Sequence, residues 1–439
     1  MFRQNKYTRR IQVFLIVFFF LAAPAIHAQE LLSLTLDQSI VYAIDHNKTL
    51  KNAKYAVDKS TQVLRETVAQ GLPQIDATIN YNNYLGGTAS IQLSPLTDPA
   101  VIEFNPTSNF SATVSQLVFN GNYIVGIQLS KLAKTITEQN YQRNELDVKE
   151  QAINAYCMIL ANERILNILK ANKNNAQLIY EKTSNMARAG LVEQTDAKKL
   201  SVMVALVDNE LKSSERQVEL GYNLLRLHLG LPSNQDIKLA STLEDIAGQY
   251  VAHTILNDPF IIDNNIEYQM VLRQEEIAKK TINMKIANYL PTLAAYYSRT
   301  EKIKKPLFDV TPKNVVGLTL NVPIFSSGQR YAQLSQAKID YKINSNNKAL
   351  LVDQLSLEER QIRYNYKTLK DQYQIQMVNV DVAKEVLDKM NLKYEQGVVS
   401  SIELTTANND YLTAETTFTN VILQLLNAEI SLRKINNKL

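Results

Sequence analysis

One plan occurs twice in this chain, offset by 207 residues. Gly121 is followed 69 residues later by Gly190, and Gly328 is followed 69 residues later by Gly397. Both intervals are almost free of helix breakers. Past the second glycine of each copy, apolar residues recur at alternating steps of three and four. The first copy has Leu200, Val204, Val207, Leu211, Val218 and Leu225; the second has Ala407, Tyr411, Ala414, Phe418, Leu425 and Leu432, each 207 further on. A tandem duplication built on heptad-patterned helices restricts the chain to an elongated body of two similar halves.

Proline placement marks where the helices run. No proline lies between Pro106 and Pro232, and none follows Pro323. A proline inside a helix costs about 3 kcal/mol, so both stretches can hold very long helices. The remaining prolines cluster where the chain alternates. Ile75, Ala77, Ile79 and Tyr81 alternate with Asp76, Thr78 and Asn80, and Phe110, Ala112 and Val114 with Ser111, Thr113 and Ser115. In the second half Leu293, Ala295 and Tyr297 form a weaker series, while Val316, Leu318, Leu320 and Val322 alternate with Gly317, Thr319 and Asn321. An apolar side opposite a small or polar side, at period two, suits a barrel strand between lipid and water. Four strands of a soluble sheet are the other reading. The long polar stretches Tyr84–Ser108 and Thr300–Asn314 favour the barrel, because they suit loops outside a cell.

The expected order starts with a helix over Leu36–Gln70, begun by Thr35 or Asp37 and ended by Gly71 before Pro73. Two strands follow, then a long helix over Asn122–Ala189, a turn at Gly190–Gln194, and a return helix over Thr195–Leu229 closed by Gly230 and Pro232. The plan repeats with a helix over Asp258–Tyr289, two strands, a long helix over Gln329–Gln396 and a return helix over Ser401–Leu439. The domain division is residues 1–28 as a signal peptide, 29–232 as the first repeat, 233–257 as a connector and 258–439 as the second repeat. At about 1.5 Å per residue, each long helix spans on the order of 100 Å and each shorter one about half of that. Two short helices end to end therefore cover one long one. In the second long helix, Ile362, Tyr366, Leu369, Tyr373, Val380, Ala383, Leu387, Met390 and Tyr394 keep the three-four step, with Gln376 the one polar break. A seven-residue repeat held this long specifies a left-handed coiled coil.

The signal peptide rests on a basic start (Arg3, Lys6, Arg9, Arg10), an apolar run from Ile11 to Ala23 broken only by Gln12, and the small-x-small stretch Ala25-Ile26-His27-Ala28. An N-terminal anchor is the competing reading, but the apolar run is short for a span. Cys157 is the only cysteine, so an intrachain disulfide is excluded. The formal charge of +4 includes the basic leader, and no basic stripe points to nucleic acid. His27, His46, His228 and His253 are scattered, and no His/Cys cluster has metal-ligand spacing. No phosphate loop, nucleophile elbow or metalloprotease motif occurs. No enzyme, cofactor or metal is expected.

Four strands cannot close a barrel. An open sheet in lipid would leave backbone N–H and C=O groups bare, at several kcal/mol each. Several copies must pool their strands, and three copies give twelve, an even count in the range of such barrels. The expected fold class is mainly α with a small β part; that long antiparallel coiled-coil helices form an α-barrel, and that four strands per chain join a twelve-stranded transmembrane β-barrel in a trimer, rests on this closure together with the family resemblance that follows.

These residues resemble the TolC family of outer membrane efflux proteins over nearly the whole mature chain. The segment Ala189-Gly190-Leu191-Val192-Glu193-Gln194-Thr195-Asp196 resembles the family's periplasmic tip turn, and Gly397-Val398-Val399 with Glu403 is its weaker counterpart. Leu72-Pro73 and Leu290-Pro291 stand at the strand entries, and Phe119-Asn120-Gly121 and Phe325-Ser326-Ser327-Gly328 at the exits. The resemblance implies a homotrimeric channel-tunnel in the outer membrane with a periplasmic extension, a passive exit duct for small molecules or proteins. It implies a periplasmic adaptor and an inner-membrane transporter as partners, with Gly190, Leu191, Val192, Gly397 and Val398 as the docking tips. It also implies a gate in which Asp196 meets Tyr394. The family's arginine two residues past the second glycine is here Val399, so that link is absent. An acidic constriction keeps Glu403, whose companion position is Thr406, and three copies of Glu403 would favour cations. Plainer readings stand beside each role. Thr195 or Asp196 would cap the return helix, Tyr394 would pack on the seam, Glu403 would be a solvated first-turn acid, and the glycines would serve the turns. A secreted or periplasmic coiled-coil structural or adaptor protein is the alternative for the whole chain.

Overall fold

The computed structural model describes residues 31–92, 100–252, 256, 258–306 and 309–439. The proposed leader, 1–28, and part of the connector lie outside them. Two helices of about seventy residues dominate. Helix α3 runs over Gly121–Arg188 and helix α7 over Gln329–Glu395. Each turns back on itself, α3 into α4 (Gln194–Leu229) and α7 into α8 (Ser401–Ile435). The seam residues fold inward as their spacing requires. Tyr366, Leu369, Val380 and Leu387 are buried on α7, and Ala407, Phe418, Leu425 and Leu432 on α8.

The helix expected over Leu36–Gln70 is in fact two, α1 (Leu36–His46) and α2 (Lys48–Ala69). Thr35 starts α1 through a reciprocal capping box with Gln38. The break falls at Asn47. Its Oδ1 accepts from the N–H of Thr49 (2.8 Å) and Leu50 (3.1 Å), while its Nδ2 donates to the carbonyl of His228 (2.8 Å) near the end of α4. One buried amide thus joins the end of α4 to the start of α2, two helices stacked end to end and running in the same direction. The second half repeats the device. The helix expected over Asp258–Tyr289 begins only at Ile266, after a short 3₁₀ turn at Ile262–Asn264, and runs to Ala287 as α6 (a connecting helix, Leu243–Ala252, is α5). Asn265 Oδ1 accepts from Glu267 (3.0 Å) and Tyr268 (3.1 Å), and its Nδ2 donates to the carbonyl of Ile435 (2.9 Å). His228 and Ile435 are 207 apart. Replacing Asn47 or Asn265 with alanine removes a cap, about 1 kcal/mol, and orphans a buried carbonyl, about 1–3 kcal/mol. Either variant is expected to lower the helical melting midpoint in detergent, and an unchanged midpoint would contradict the joint.

The four expected strands form one antiparallel sheet. Strands β2 (Gln74–Asn82), β5 (Thr107–Phe119), β7 (Thr292–Lys304) and β8 (Asn314–Asn321) lie in the order β2-β5-β7-β8. Register aligns the apolar series directly opposite one another. Ile75, Ala77 and Ile79 face Val114, Ala112 and Phe110; Val114 faces Tyr297; Tyr297, Ala295 and Leu293 face Val316, Leu318 and Leu320. Side chains alternate along strands, so all of them share one face of the sheet. That face is bare in the single chain: Ile75 is 75% exposed, Val316 81% and Leu318 72%. The other face is stitched by hydroxyls and amides, Ser111 with Thr300 (2.9 Å), Thr113 to Ser298 (3.0 Å) and Asn80 to Asn109 (3.3 Å). Gly317 also lies there, and a Cβ on it would come within 2.5 Å of the Tyr296 ring.

Among the described residues, four further strands were not expected. Between β2 and β5, β3 (Thr88–Ile91) and β4 (Ala100–Glu103) pair as a hairpin inside the stretch read as a loop. The repeat offset is 218 before the strands (Pro73 to Pro291) and 207 after them (Gly121 to Gly328), so the first crossover is eleven residues longer, and it is the one that carries this hairpin. The connector holds α5 and a three-residue strand β6 (Ile237–Leu239), which pairs in parallel with β1 (Leu32–Leu34). Tyr156 on α3 locks this waist: its hydroxyl donates to the carbonyl of Leu34 (3.0 Å) and accepts from the N–H of Ser241 (3.1 Å). The largest core cluster surrounds it, including Ile153, Ile159, Leu225 and Leu229.

Helix contacts give a lateral order. Next to the sheet it is α2, α3, α6, α7; toward the hairpin ends it is α4, α3, α8, α7. One side of the chain is therefore β2 over α2 over α4, and the other is β8 over α7. Among the described residues no helix is long and apolar enough to cross a membrane.

Candidate functional site at the hairpin tips

Both long helices end in the same turn. The N–H of Leu191 reaches the carbonyl of Met186 (2.9 Å) and that of Gly190 the carbonyl of Ala187 (3.1 Å). In the second copy, Val398 reaches Lys393 (2.9 Å) and Gly397 reaches Tyr394 (3.0 Å). This is a Schellman turn, and it places its C′ residue in the left-handed region. Gly190 has φ +76° and Gly397 φ +72°, with open space around both. Leu191 (72% exposed) and Val398 (68%) project from the two turns, and Val192 is half-buried behind the first. Each turn thus offers one bare aliphatic side chain at its tip.

The helix starts differ from expectation. Neither Thr195 nor Asp196 caps α4. Glu193 occupies the N-cap with extended backbone and makes no side-chain cap bond, which leaves Thr195 and Asp196 inside the first turn. The Thr195 hydroxyl donates to the Glu193 carboxylate (2.8 Å), and Asp196 lies 3.7 Å from the Lys199 ammonium. Asp196 still complements the helix dipole. The chain does not pair Asp196 with Tyr394. The Tyr394 hydroxyl lies 3.4 Å from that of Thr183, the Lys182 ammonium lies 4.6 Å from its ring centroid, and the ring packs against Leu387, Leu404 and Ala407.

Glu403 serves the start of α8. Ser400 is the N-cap, its hydroxyl accepts from the Glu403 N–H (3.2 Å), and the Glu403 carboxylate accepts from the Ser400 N–H (2.7 Å). The spacing Ser400-x-x-Glu403 is a capping-box signature that the sequence carried. The Ser400 backbone N–H, then its hydroxyl, hold the Glu403 pKa below the ordinary value. A depressed carboxyl contributes stability above the unfolded pKa and loses it as pH falls through the folded value. Amide exchange in the first turn of α8 should therefore be slower in wild type than in Glu403→Gln at neutral pH, and the two should converge in acid, below the ordinary glutamate range. A gap that persists in acid would assign the protection to something else.

Two antiparallel helical hairpins lie beneath a four-stranded antiparallel sheet with one apolar face, the arrangement expected of a TolC-type fold. Comparison with known proteins agrees. Residues 262–438 match the family model of outer membrane efflux proteins. The chain is similar to the CmeC outer membrane channel of Campylobacter jejuni, at 16% identity and TM-score 0.74 over 92% of this chain and 85% of that one. It is similar to the outer membrane protein VceC of Vibrio cholerae, at 14% identity and TM-score 0.73 over 91% and 95%. It is likewise similar to the open state of the MtrE outer membrane channel of Neisseria gonorrhoeae, at 16% identity and TM-score 0.71 over 91% and 88%. No curated protein matches the chain. The expected TolC-type fold is borne out.

Proposed function

We propose that the protein is the outer-membrane exit duct of a tripartite efflux or secretion system, passive in itself and driven by an inner-membrane transporter through a periplasmic adaptor. The observation that carries this reading is the sheet: among the described residues its apolar face is bare and its two edges, β2 and β8, are unpaired. Such edges do not persist in lipid. Strand direction alternates across the sheet, so β8 of one copy meets β2 of the next in antiparallel sense. Three copies give twelve strands and close the ring.

The helices support the same closure. Ile343, Leu350, Leu357, Tyr364, Val378 and Leu392 stand at multiples of seven along α7, and all are exposed. They form a second seam, away from the one buried against α8. On the opposite side of the chain, Leu206, Leu220 and Leu227 of α4 are exposed at the same period. In antiparallel register Val378 stands level with Leu206, Tyr364 with Leu220 and Leu357 with Leu227. A head-to-tail contact between unlike sides builds a ring when its rotation closes. The proposed repeat units, 29–232 and 258–439, then alternate around the tunnel. Leu191, Val192 and Val398, with Gly190 and Gly397 shaping their turns, present the adaptor-docking surface. Thr195, Asp196, Tyr394 and Glu403 lie near the tunnel's narrow end.

Reconstitution tests the reading. Added to planar bilayers from detergent, the protein is expected to give discrete conductance steps, with native mass spectrometry giving three chains per particle. A monomer that stays in water without detergent and leaves bilayers silent overturns it. Within a conducting trimer, Asp196→Ala is expected to raise conductance if Asp196 holds the closed tip. Wild-type conductance would leave Asp196 as a first-turn charge on α4.

A further inference from the structure

A cleft of about 650 Å³ lies at the waist, between α3 and α8 and beneath the connector. That volume is in the range of small-molecule sites, about 300–1,000 Å³. One face of α3 and one face of α8 form its walls, because the lining residues of each helix recur at steps of three and four. Both helices stand in the middle of the lateral order, so a second copy docked on either side of the chain does not fill it.

The lining is amphipathic. Ile168, Leu243, Leu387 and Leu412 supply apolar surface. Three carboxylates, Glu163, Glu244 and Glu415, stand against the single guanidinium of Arg164. Arg164 is ion-paired with both Glu244 and Glu415, the latter at 2.9 Å. Glu415 also accepts from the Tyr411 hydroxyl (2.8 Å), and Glu163 from that of Tyr222 (2.7 Å). Burial, then the bond to Glu415, pushes the Tyr411 phenol up to about 12, so it stays a neutral donor. The acids outnumber the base. A second feature is independent of charge. Asn172 is buried in the cleft wall, its Oδ1 accepts from Asn408 Nδ2 (2.5 Å), and its own Nδ2 has no partner. A buried donor without an acceptor is the kind of group a ligand oxygen satisfies.

We propose that this cleft binds an organic ammonium compound with an apolar body and a hydrogen-bond-accepting oxygen. The ammonium meets the surplus carboxylate near Glu244, the body lies along the aliphatic wall, and the oxygen takes the free Asn172 donor. The site belongs to one chain and does not depend on how copies assemble or on what the duct carries.

A dansylated alkylamine is a suitable probe, because it combines an aromatic body, sulfonyl oxygens and a primary ammonium, and its emission rises when it leaves water. Titrated into the full chain in detergent, it is expected to saturate at one probe per chain. Loss of a charged or buried hydrogen-bond partner should weaken binding about tenfold in Glu244→Gln and in Asn172→Leu. Glu244 is 59% exposed at its side chain, so its variant retains the fold. The N-acetylated, neutral probe should bind wild type as weakly as the charged probe binds Glu244→Gln, and Glu276→Gln, on α6 and outside the lining, should leave affinity unchanged. Emission that never saturates, or that is the same for both probes and all variants, is partition into micelles and overturns the proposal.

Discussion

Gly230→Val is expected to destabilise the folded chain by roughly 3–5 kcal/mol, in the range where single substitutions are exceptional. Gly230 ends α4 with φ +71°, and a Cβ there would sit 2.4 Å from the backbone carbonyl oxygen of His46. Two penalties combine. The left-handed conformation costs an ordinary residue about 1–2 kcal/mol, and a β-branched one more. The contact with His46 is to backbone, so relief requires α4 to move away from the α1–α2 break, and that movement stretches the bond from Asn47 to His228. Orphaning the partners there costs about 1–3 kcal/mol more. Gly190→Val is the matched control. It has φ +76° but nothing within 4 Å, so it should suffer only the conformational penalty. Thermal unfolding followed by helical circular dichroism in detergent separates the two, and equal midpoints would mean that the α4 end is not pressed against the joint. The second copy makes the same point differently. Position 437, which is 207 past Gly230, is asparagine with φ +56°, and its neighbour Lys438 closes the same turn on Arg433 (2.8 Å). Asparagine is one of the few side chains that tolerate this region.

Where the sequence could be read, the signals were local or strictly periodic. The α7 seam from Tyr366 to Leu387 folds inward as its spacing requires, and Gly190 and Gly397 make the turns their isolation implies. The strands came through for the same reason, since Ile75, Ala77 and Ile79 alternate without exception. What escaped depends on partners far away in the chain. The apolar period runs through Asn47 unbroken, and the break is stabilised by a carbonyl 181 residues later. The parallel pair β1–β6 is three residues long and joins segments about two hundred residues apart, so neither strand has a period of its own to detect. The site was legible as a place and not as a set of contacts. Ser400-x-x-Glu403 was a local cap signal overshadowed by a pore role for Glu403. The meeting of Asp196 with Tyr394 depends on which helices stand side by side, and within one chain Tyr394 stands beside Lys182 and Thr183.

Leu318→Arg is expected to abolish assembly in lipid, whereas Thr319→Arg, one residue on, should assemble. Leu318 lies mid-strand in β8 on the apolar face and is 72% exposed in the single chain; Thr319 points to the opposite face, level with Ala294. If the apolar face meets hydrocarbon, an arginine there costs about 2–4 kcal/mol near the midplane of the bilayer. In a trimer the penalty is incurred three times, roughly 6–12 kcal/mol, which is comparable to the whole stability of an ordinary domain. On the inner face the guanidinium remains in water, and the lining of Ser111, Thr113, Ser298 and Thr300 already accommodates polar groups. The measurement is the fraction of heat-resistant oligomer formed when unfolded protein is diluted into lipid vesicles. A large deficit for Leu318→Arg alone assigns the apolar face to lipid. Equal yields would mean that both faces of the sheet meet the same medium, and then the pooled strands would have no barrel to close.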